Sequence, residues 1–524
     1  MVVADLPLYL LLIFLLAIPL VLLSFATKRR APHGPSAAAA ATVSRLPPSP
    51  WALPIIGHLH HLAGALPHRV LRDLARRHGP DLMSLRFGEL RVMVASSPDA
   101  AREIMKLHDA AFASRPLSPM QELAYHGAGE GVIFAPYGEG WRQLRKICAV
   151  ELLTPRRVHS FRHVRADELS LLLLSISAAA AATSPSPVNL GERIAAFVAD
   201  STVRAIIGSR FEHRDEYLRM LQEGIKIVPG MTLPDLFPSS RIARLVSRVP
   251  GKIERHRRGM QKLIDTIITE HRERRASGKD DDDEEEEDLL DVLLRLQKEV
   301  NSQYPLTTEN IKTVMLDMFG AGSETSATML QWAMAELIRN PRVMRKAQEE
   351  LRRALAEDGK VTEDKLPTLH YLHLVIKETL RLHPPAPLLL PRKCGSPSCK
   401  VLGYDIPEGT MVIVNAWAIS RDPAHWQNPD EFMPERFERC GRDFRGTDFE
   451  FIPFGAGRRM CPGMAFGLAH IELALAALLF HFDWELPGGM AVEELDMTEA
   501  FGVTTQLQSD LVVVAVPRVP LSIE

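Results

Sequence analysis

One cysteine, Cys461, lies in a stretch whose composition suits a thiolate ligand for a metal ion. Residues 449–468 read FEFIPFGAGRRMCPGMAFGL, with Gly455, Gly457 and Gly463 around the cysteine. A thiolate ligand needs hydrogen-bond donors that stabilise its charge and tune its donor strength. A glycine-rich loop that enters a helix presents backbone N–H groups for this purpose. The other four cysteines are scattered and are interpreted as inert thiols: Cys148, Cys394, Cys399 and Cys440.

A second group of polar residues interrupts a long apolar segment. Residues 307–340 read TTENIKTVMLDMFGAGSETSATMLQWAMAELIRN and are followed by a proline, which predicts a helix of about 50 Å. Gly320 and Gly322 each cost about 1 kcal/mol in mid-helix relative to alanine, and they permit close approach of another group. Glu324 and Thr325 would place a carboxylate and a hydroxyl beside that opening. The alternative is a helix-packing notch with a satisfied polar pair.

A third pattern consists of charged residues in an apolar context. Glu378 and Arg381 are three residues apart in LPTLHYLHLVIKETLRLHPPAP, so they share one face of a helix. A buried ion pair needs further hydrogen bonds, and Arg436 in the segment PERF is the candidate third member. An ordinary surface pair would contribute little to stability.

The composition of the whole chain excludes several classes of protein. The chain has 524 residues, a formal net charge of −3, 46% hydrophobic residues and 24% charged residues, so its charge does not indicate a nucleic-acid partner. An odd number of scattered cysteines argues against a disulfide framework and for a reducing compartment. Cys394 and Cys399 lack a second pair at zinc-type spacing, which argues against a zinc site.

The N-terminus is predicted to be a membrane anchor. No charged residue lies between Leu6 and Thr27, and about 20 apolar residues cross the hydrocarbon of a bilayer as a helix. The basic cluster at 28–30 then favours a cytosolic location for the body of the protein. The alternative is a cleaved signal peptide, although the apolar run is longer than usual and the basic cluster follows it.

These patterns divide the chain into an anchor at 1–30, a low-complexity and proline-rich hinge at 31–64, and a globular domain at 65–524. Amphipathic helical patterns dominate the globular domain, and short β-type runs such as GTMVIVNAWAIS interrupt them. Residues 280–288, DDDDEEEED, are expected to form a solvated loop, with an acidic partner-binding site as the alternative. The domain is predicted to be one helix-rich α+β unit.

Taken together, the motifs resemble those of the cytochrome P-450 family, specifically the plant membrane-anchored enzymes that oxidise specialised metabolites. FGAGRRMCPG fits the signature F-x-x-G-x-R-x-C-x-G at every fixed position, AGSET at 321–325 fits the long-helix motif, and ETLR at 378–381 fits E-x-x-R. PERF, WRQLRK and the proline hinge PPSPWALPIIG also match, in the family's order, between residues 46 and 519. The resemblance implies a mainly α (α+β) fold, a triangular prism of helices with small β-sheets, plus one N-terminal transmembrane helix.

The resemblance also implies a cofactor, haem b, and assigns residues to it. Cys461 would be the axial ligand of the haem iron, and a thiolate in that position favours O–O cleavage. Phe454 and Gly457 of the same loop would contact the cofactor. The haem propionates would be held by four residues: Trp141, Arg145, Arg392 and Arg459.

On the opposite side of the haem, the resemblance gives Thr325 a hydrogen bond near bound oxygen and gives Glu324 a part in routing protons. Glu378, Arg381 and Arg436 would form a structural network that takes no part in the chemistry. Substrate-facing segments are expected at 115–135, 316–325, 386–390 and 500–506. Their mostly apolar residues suit a lipophilic ligand: Met120, Ile133, Met318, Phe319, Leu388, Leu389, Leu390, Phe501 and Val503.

The function implied is that of a haem-thiolate monooxygenase. It would insert one oxygen atom of O2 into a lipophilic plant specialised metabolite, with a terpenoid favoured over a phenolic or an indole derivative. Electrons would come from NADPH through NADPH–cytochrome P-450 reductase, and the chain would be a single-pass protein of the endoplasmic reticulum membrane that faces the cytosol and contacts membrane lipid. The alternatives are a haem-thiolate isomerase or dehydratase that needs no reductase, and a non-catalytic haem-binding protein.

Overall fold

Helices account for most of the chain, as the sequence predicts. The computed structural model describes residues 45–125, 130–181, 186–208, 214–227, 231–276, 287–299, 305–500 and 502–521. In chain order the α-helices are α1 (Pro67–His78), α2 (Pro98–Arg102), α3 (Pro119–Ala124), α4 (Glu139–Ile147), α5 (Pro155–Ser160), α6 (Arg162–Ala180), α7 (Leu190–Ile207), α8 (Arg214–Ile227), α9 (Leu233–Leu236), α10 (Arg241–Val246), α11 (Val249–Ala276), α12 (Leu289–Lys298), α13 (Thr308–Arg339), α14 (Pro341–Ala354), α15 (His370–Leu382), α16 (Ala416–Ile419), α17 (Arg436–Cys440) and α18 (Met464–His481). Two of them continue into π-helical turns, α2 through Glu103–Leu107 and α4 through Cys148–Leu152.

The strands are short and pair into small sheets. They are β1 (Leu82–Phe87), β2 (Leu90–Ala95), β3 (Val188–Asn189), β4 (Arg392–Lys393), β5 (Cys399–Val401), β6 (Tyr404–Ile406), β7 (Met411–Val414), β8 (Phe482–Glu485), β9 (Glu499–Ala500), β10 (Gln506–Leu507) and β11 (Val512–Pro517). A four-stranded sheet has the order β1–β2–β7–β4, in which only β2 and β7 are parallel. Within the described ranges, the antiparallel sheets β3–β11–β8, β5–β6 and β9–β10 complete the set.

The β-type run GTMVIVNAWAIS is a strand only in its first half. β7 ends at Val414, and the helical turn α16 follows. The Asn415 side chain accepts a hydrogen bond from the Ala418 N–H at 3.0 Å, which caps that turn. The prediction of a continuous strand is wrong because a short apolar run suits either element and the cap decides between them.

The long helix predicted at 307–340 is present as α13. The Asn310 N–H donates to Thr307 Oγ1 at 3.1 Å and the Thr307 N–H donates to Asn310 Oδ1 at 3.1 Å, which forms a capping box. Most of its side chains are buried, and it packs chiefly against α7 and α18. A Cβ on Gly322 would lie 3.2 Å from Thr202 Cγ2 and 3.5 Å from Phe466 Cε1, so this glycine does serve as a packing notch.

One helix among the described residues, α18, is long and apolar enough to cross a bilayer, but 67% of its apolar window is buried inside the protein. α18 is therefore a core helix. The predicted anchor at 1–30 lies outside the described residues, as does the hinge up to residue 44.

The acidic run at 280–288 is described only at its end, and there it departs from the expected solvated loop. Asp288 is 2% exposed. Its Oδ1 accepts a hydrogen bond from the Asp291 N–H at 2.8 Å at the start of α12. The first N–H groups of a helix need acceptors, so this acidic residue is buried as a cap.

The described part of the proline hinge packs on β1. The His58 N–H donates to Arg86 O at 2.7 Å, and the Arg86 N–H donates to His58 Nδ1 at 2.9 Å. Gly57 has a φ of +64°, and a Cβ there would lie 2.2 Å from Arg86 O. Glycine is required at this position because any side chain would push the hinge off the strand.

Candidate active site

The loop that carries Cys461 folds back on itself directly before α18. Gly455 and Gly457 both have a φ of +68°, a left-handed conformation that glycine adopts without strain. The Cys461 N–H donates to Phe454 O at 2.9 Å, which closes the loop. The sulfur therefore lies just before the N-terminus of α18, where helix N–H groups lack internal acceptors.

The Cys461 side chain is accessible to solvent although protein atoms surround it. Burial raises the pKa of its thiol, whereas a hydrogen bond from the Gly463 N–H and the charge of Arg145 act in the opposite direction. The sulfur thus lines an internal cavity and is supplied with groups that stabilise a thiolate.

Gly457 allows the loop to dock on the π-helical turn after α2. A Cβ at Gly457 would lie 2.1 Å from Met105 O and 2.8 Å from Asp109 Oδ2. Asp109 Oδ2 also accepts a hydrogen bond from the Arg458 N–H at 2.8 Å. Phe454 is partly buried, with its ring edge-to-face against Phe444 at a centroid distance of 5.4 Å. Phe454 and Gly457 were expected to contact the cofactor, and in this structure both residues also hold the loop in place.

Four arginines converge beside this loop: Arg115, Arg145, Arg392 and Arg459. Burial and the neighbouring charges of Arg392 and Arg145 lower the pKa of Arg459 to about 9, and the same causes lower the pKa of Arg115 well below its usual value. Asp109 offsets part of this charge, since its Oδ1 accepts a hydrogen bond from Arg392 Nη1 at 2.9 Å. An excess of buried guanidinium groups suits an anion that carries more than one carboxylate.

Arg459 and Trp141 also hold the chain that leads into α4. Arg459 Nε donates to Ala113 O at 2.6 Å and its Nη1 donates to Val132 O at 3.2 Å. Trp141 Nε1 donates to the same Val132 oxygen at 2.9 Å. These two residues therefore position the main chain of the loop in addition to any role towards the haem.

Arg115 is a member of this cluster that the sequence analysis missed. Its Nη1 donates to Leu390 O at 2.7 Å and to Pro391 O at 2.9 Å, directly before Arg392. A single arginine in a polar loop carries no periodic signal, so only its spatial neighbours show its place in the site.

α13 presents its accessible face beside the α13–α18 contact. Ala321 is exposed and Thr325 is partly exposed, although most of the helix is buried. Thr325 Oγ1 donates to Ala321 O at 2.8 Å. Glu324 Oε1 accepts hydrogen bonds from Thr504 Oγ1 and from Gln506 Nε2, the latter at 3.0 Å. The acid and the alcohol thus lie near the accessible face of α13 and use different hydrogen-bond partners.

The residues expected to face the substrate divide into two groups. Met318 and the segment 388–390 are partly accessible, and Val503 is 42% exposed. Phe319 is instead fully buried, 4.9 Å from the Tyr217 ring between centroids, and Met120 is also buried. Phe501 lies outside the described residues.

Asp317 is a further residue that the sequence analysis did not single out. Its Oδ2 accepts hydrogen bonds from the Val132 N–H at 2.7 Å and the Ile133 N–H at 3.0 Å. A Cβ at Gly131 would lie 2.5 Å from the same oxygen. Burial raises the pKa of this carboxyl to about 6, and the two N–H groups act in the opposite direction. Asp317 therefore fastens the loop at 131–133 to α13.

Replacing Asp317 with alanine should lower the free energy of unfolding by about 2–5 kcal/mol, because two buried N–H groups lose their acceptor. Asp317→Asn keeps an acceptor and removes the charge. Since the folded pKa lies above the unfolded value, ionisation of Asp317 destabilises the wild type as pH rises from about 4 to about 6. The wild type should therefore lose up to about 3 kcal/mol relative to Asp317→Asn across that window. Urea denaturation at pH 4 and pH 8 measures both effects, and a pH-independent difference would contradict the assignment.

The structure brings Glu378, Arg381 and Arg436 together. Arg381 Nε donates to Glu378 Oε2 at 2.7 Å and its Nη2 donates to Glu378 Oε1 at 2.8 Å, a bidentate pair with both side chains fully buried. Arg436 Nε donates to Glu378 Oε1 at 2.9 Å. Arg381 Nη1 further donates to Ser420 O at 2.8 Å, so the charges of the network are extensively hydrogen-bonded.

The donor set fits haem b. An accessible cysteine with N–H support can ligate iron, and a buried cluster of arginines can pair with two propionates. Ala321 on α13 is exposed although most of that helix is buried, so one face of α13 is accessible. Cys461 would hold the iron, and Arg115, Arg145, Arg392 and Arg459 would hold the propionates, with Trp141 adjacent.

Comparison with known proteins agrees with this fit. The cytochrome P-450 family model matches residues 47–511. The chain is 48% identical to desmethyl-deoxy-podophyllotoxin synthase of Sinopodophyllum hexandrum over 89% of this chain and 91% of that protein. It is 45% identical to premnaspirodiene oxygenase of Hyoscyamus muticus over 91% and 93%, and 48% identical to ent-cassadiene hydroxylase of Oryza sativa subsp. japonica over 87% and 89%.

A solved structure of a zebra fish cytochrome P-450 with abiraterone matches with a TM-score of 0.71 and 25% identity, over 86% of this chain and 99% of that one. The expected helix-rich cytochrome P-450 fold with small β-sheets and the haem b cofactor are thereby confirmed, whereas the N-terminal transmembrane helix stays a prediction. The chain, with its cysteine loop, its cationic cluster and its long central helix, belongs to the cytochrome P-450 family.

Proposed function

We propose that this plant-type cytochrome P-450 monooxygenase hydroxylates a terpenoid and takes its electrons from NADPH–cytochrome P-450 reductase. The observation that carries the proposal is the accessible Cys461 sulfur together with the accessible face of α13, where Thr325 is partly exposed and follows the Glu324 carboxylate. Two relatives, premnaspirodiene oxygenase and ent-cassadiene hydroxylase, are named for action on terpene skeletons. A third relative is named for a lignan product, so phenolic compounds should also be tested as substrates.

The side chains of the cysteine loop and those of α13 have different roles in the reaction. Bound haem b supplies the binding and activation of O2, which a thiolate ligand assists. Cys461 provides that thiolate, and the Gly463 N–H and Arg145 stabilise its charge. On α13, the Thr325 hydroxyl donates to Ala321 O and its oxygen can still accept a proton, which Glu324 can take up from solvent.

The substrate is oriented by few polar groups. Of the residues expected to face the substrate, the accessible ones are Ile133, Met318, the leucines at 388–390 and Val503, all of them apolar. An apolar pocket of this kind favours a lipophilic hydrocarbon or alcohol, because its affinity comes mainly from burial of apolar area.

The direct test is expression with the reductase, followed by incubation with terpenoids, lignans and simple phenolics. We expect a product heavier by one oxygen atom, with the label of 18O2 incorporated, only when NADPH and reductase are present. Formation of product without reductase or O2 would instead establish an isomerase or dehydratase. A complete absence of product together with no substrate-induced change in haem absorbance would support a non-catalytic role.

Thr325→Ala should uncouple turnover. Without the hydroxyl, protons are no longer directed to the reacting oxygen, so NADPH consumption continues while product formed per NADPH falls about 100-fold and peroxide is released. Thr325→Ser keeps the hydroxyl and serves as the control, with coupling near that of the wild type. The measurement is the ratio of product formed to NADPH consumed, with peroxide measured in parallel. An unchanged ratio in the alanine variant would show that Thr325 has no part in the proton route.

Exposed apolar residues support a location on a membrane. More than half of the large apolar residues that are exposed in the described part of the chain lie in two segments, the hinge at 45–64 and the region 231–246: Leu46, Trp51, Ile55, Met231, Leu233, Ile242, Leu245 and Val246. Both segments contact the turn between β1 and β2. The Gly88 N–H of this turn donates to Ile56 O at 3.2 Å, and its Glu89 N–H donates to Leu236 O at 2.9 Å. The exposed apolar residues of these two segments suit contact with lipid, and one of the segments begins at residue 45, directly after the predicted anchor and the start of the hinge.

We therefore propose that the protein is a single-pass protein of the endoplasmic reticulum membrane whose catalytic domain lies in the cytosol. After expression in yeast, the chain should sediment with microsomes and resist carbonate extraction. Protease added to intact microsomes should digest the catalytic domain, as it does after detergent is added. Protection of the domain in intact microsomes would contradict this topology.

A further inference from the structure

The chain from residue 238 to residue 252, the cationic segment, carries no acidic residue and four basic ones: Arg241, Arg244, Arg248 and Lys252. All four side chains are exposed, and none of them forms an ion pair within the described part of the chain. The next acid along the chain, Glu254, is already paired, with Arg257 at 2.8 Å and with Arg258 at 2.9 Å. The cationic segment thus presents positive charge that no neighbouring acid in sequence balances.

Large apolar side chains lie among these cations on α10. Ile242 is 72% exposed, Leu245 is 86% exposed and Val246 is 67% exposed, whereas Ala243 of the same helix is buried. Exposed cations and exposed apolar side chains on one short element suit the interface of a bilayer. There the charges meet the headgroups and the apolar side chains enter the boundary of the acyl chains.

The start of the cationic segment is fixed to the turn between β1 and β2. The Ser239 N–H donates to Glu89 Oε2 at 3.0 Å, and the Ser239 hydroxyl donates to Glu89 Oε1 at 2.6 Å. The hinge contacts the same turn through Ile56 O, and the exposed Trp51 belongs to that hinge. The cationic segment is therefore held against the same turn as the chain that follows the predicted anchor.

We propose that the cationic segment binds anionic phospholipid headgroups, so that the catalytic domain docks preferentially on a negatively charged leaflet. The inference rests on the proposed membrane location and adds a charge requirement to it. Each Lys or Arg close to an anionic leaflet strengthens binding about fivefold, whereas contact of apolar side chains with acyl chains does not depend on headgroup charge. An acidic protein surface would also attract the cations, but the apolar residues of α10 and the adjoining hinge favour lipid.

Trp51 reports contact between the domain and the lipid. It is 71% exposed, while the other five tryptophans are at most 7% exposed, so bromine atoms on the acyl chains quench chiefly its fluorescence. The haem-loaded full-length chain is placed in nanodiscs of brominated phosphatidylcholine, alone or with about 30% phosphatidylserine. We expect quenching about twofold stronger in the anionic discs, and loss of that difference in about 1 M NaCl, which screens exposed charges. Trp51→Phe gives the background of the buried tryptophans.

The combined substitutions Arg241→Gln, Arg244→Gln and Arg248→Gln should abolish the difference between the two lipids. These side chains are exposed and form no ion pair in the described residues, so the fold and the haem content should stay unchanged. Substitution by glutamine keeps most of the length of each side chain and removes its charge. The apolar residues of α10 are left in place, so the quenching in phosphatidylcholine alone should match that of the wild type.

The matched control removes the same charge from the end of α13 and from α14, through Arg339→Gln, Arg345→Gln and Arg353→Gln. These three arginines are also exposed, and none forms an ion pair in the described residues. The control should keep the stronger quenching in the anionic discs. An equal loss in the control would show that net charge, and not the cationic segment, selects the lipid, which would overturn the inference.

Equal quenching of the wild type in both lipids would also overturn it, since apolar contact alone would then dock the domain. A cationic-segment variant that keeps the lipid difference but accepts electrons from the reductase more slowly would assign the segment to an acidic protein surface instead. Failure of the proposed location is seen separately, as a wild type whose Trp51 is quenched in neither lipid. The fluorescence measurement needs no turnover, so it is independent of whether the protein forms an oxygenated product.

Discussion

Replacing Cys461 with serine should lower product formation at least about 1000-fold, equivalent to about 4 kcal/mol in activation free energy. Serine has nearly the same size and can still accept the Gly463 N–H, but its hydroxyl stays protonated at neutral pH and donates far less electron density to iron than a thiolate does. The variant should also lose the absorbance band that reduced, carbon monoxide-bound haem shows with a thiolate ligand. Product assays with reductase, together with this spectrum, measure both effects.

Cys440→Ser provides the matched control. Cys440 is an exposed cysteine at the end of α17, outside the loop at 454–463, so the same exchange of sulfur for oxygen there should leave the spectrum and the turnover unchanged. A Cys461→Ser protein that kept the thiolate-specific band and its turnover would assign the ligand to another residue. Loss of activity in Cys440→Ser alone would lead to the same conclusion.

The sequence predicts those parts of the fold that depend on local patterns. α13 has its predicted length because the capping box at Thr307 and the proline after Asn340 are local signals. Two predictions were wrong: a strand after Val414, where the structure has a helical turn, and a solvated loop up to Asp288, which is buried. In both places a single capping hydrogen bond decides the local structure, and the residue types allow either outcome. The anchor at 1–30 stays a prediction, since it lies outside the described residues.

The contacts that shape the site are mostly of long range, and the sequence analysis missed them for that reason. Asp317 and Val132 are 185 residues apart, and Glu324 and Thr504 are 180 apart. Nothing in helical periodicity pairs an acid on α13 with N–H groups of a distant loop. Arg115 was missed on the same grounds, whereas Glu378 and Arg381 share a helix face and were found.

The loop at 131–135 connects the substrate side of the cavity to the cationic cluster. Its N–H groups at Val132 and Ile133 donate to Asp317, and the Val132 oxygen accepts from Trp141 and Arg459. A change at Arg459 therefore removes a cation from the cluster and also loosens the loop. Effects of Arg459 variants on haem content and on substrate selectivity should consequently appear together, because one side chain serves both.

The largest effect on folding is expected from Glu378→Gln. The substitution keeps the volume but leaves the Arg381 and Arg436 guanidinium groups, both buried, without their carboxylate. Breaking a buried pair in this way costs about 3–5 kcal/mol. Domains commonly have only about 5–15 kcal/mol of stability in total, so the yield of haem-bearing protein should fall sharply. Urea denaturation measures the loss for whatever holoprotein is recovered.

Glu254→Gln is the control for the spacing of the pair. Glu254 pairs with Arg257 at 2.8 Å on α11 with the same three-residue spacing, but the two side chains are 29% and 17% exposed. Solvent screens this pair, so its loss should lower the free energy of unfolding far less than the loss of the Glu378 pair does. The comparison tests whether the three-residue spacing alone explains the importance of the E-x-x-R pair, since the spacing is common to both sites whereas burial and the partner Arg436 are not. Equal losses in the two variants would show that Glu378 contributes no more than a surface charge, and the network would then have no special part in maintaining the fold around Cys461.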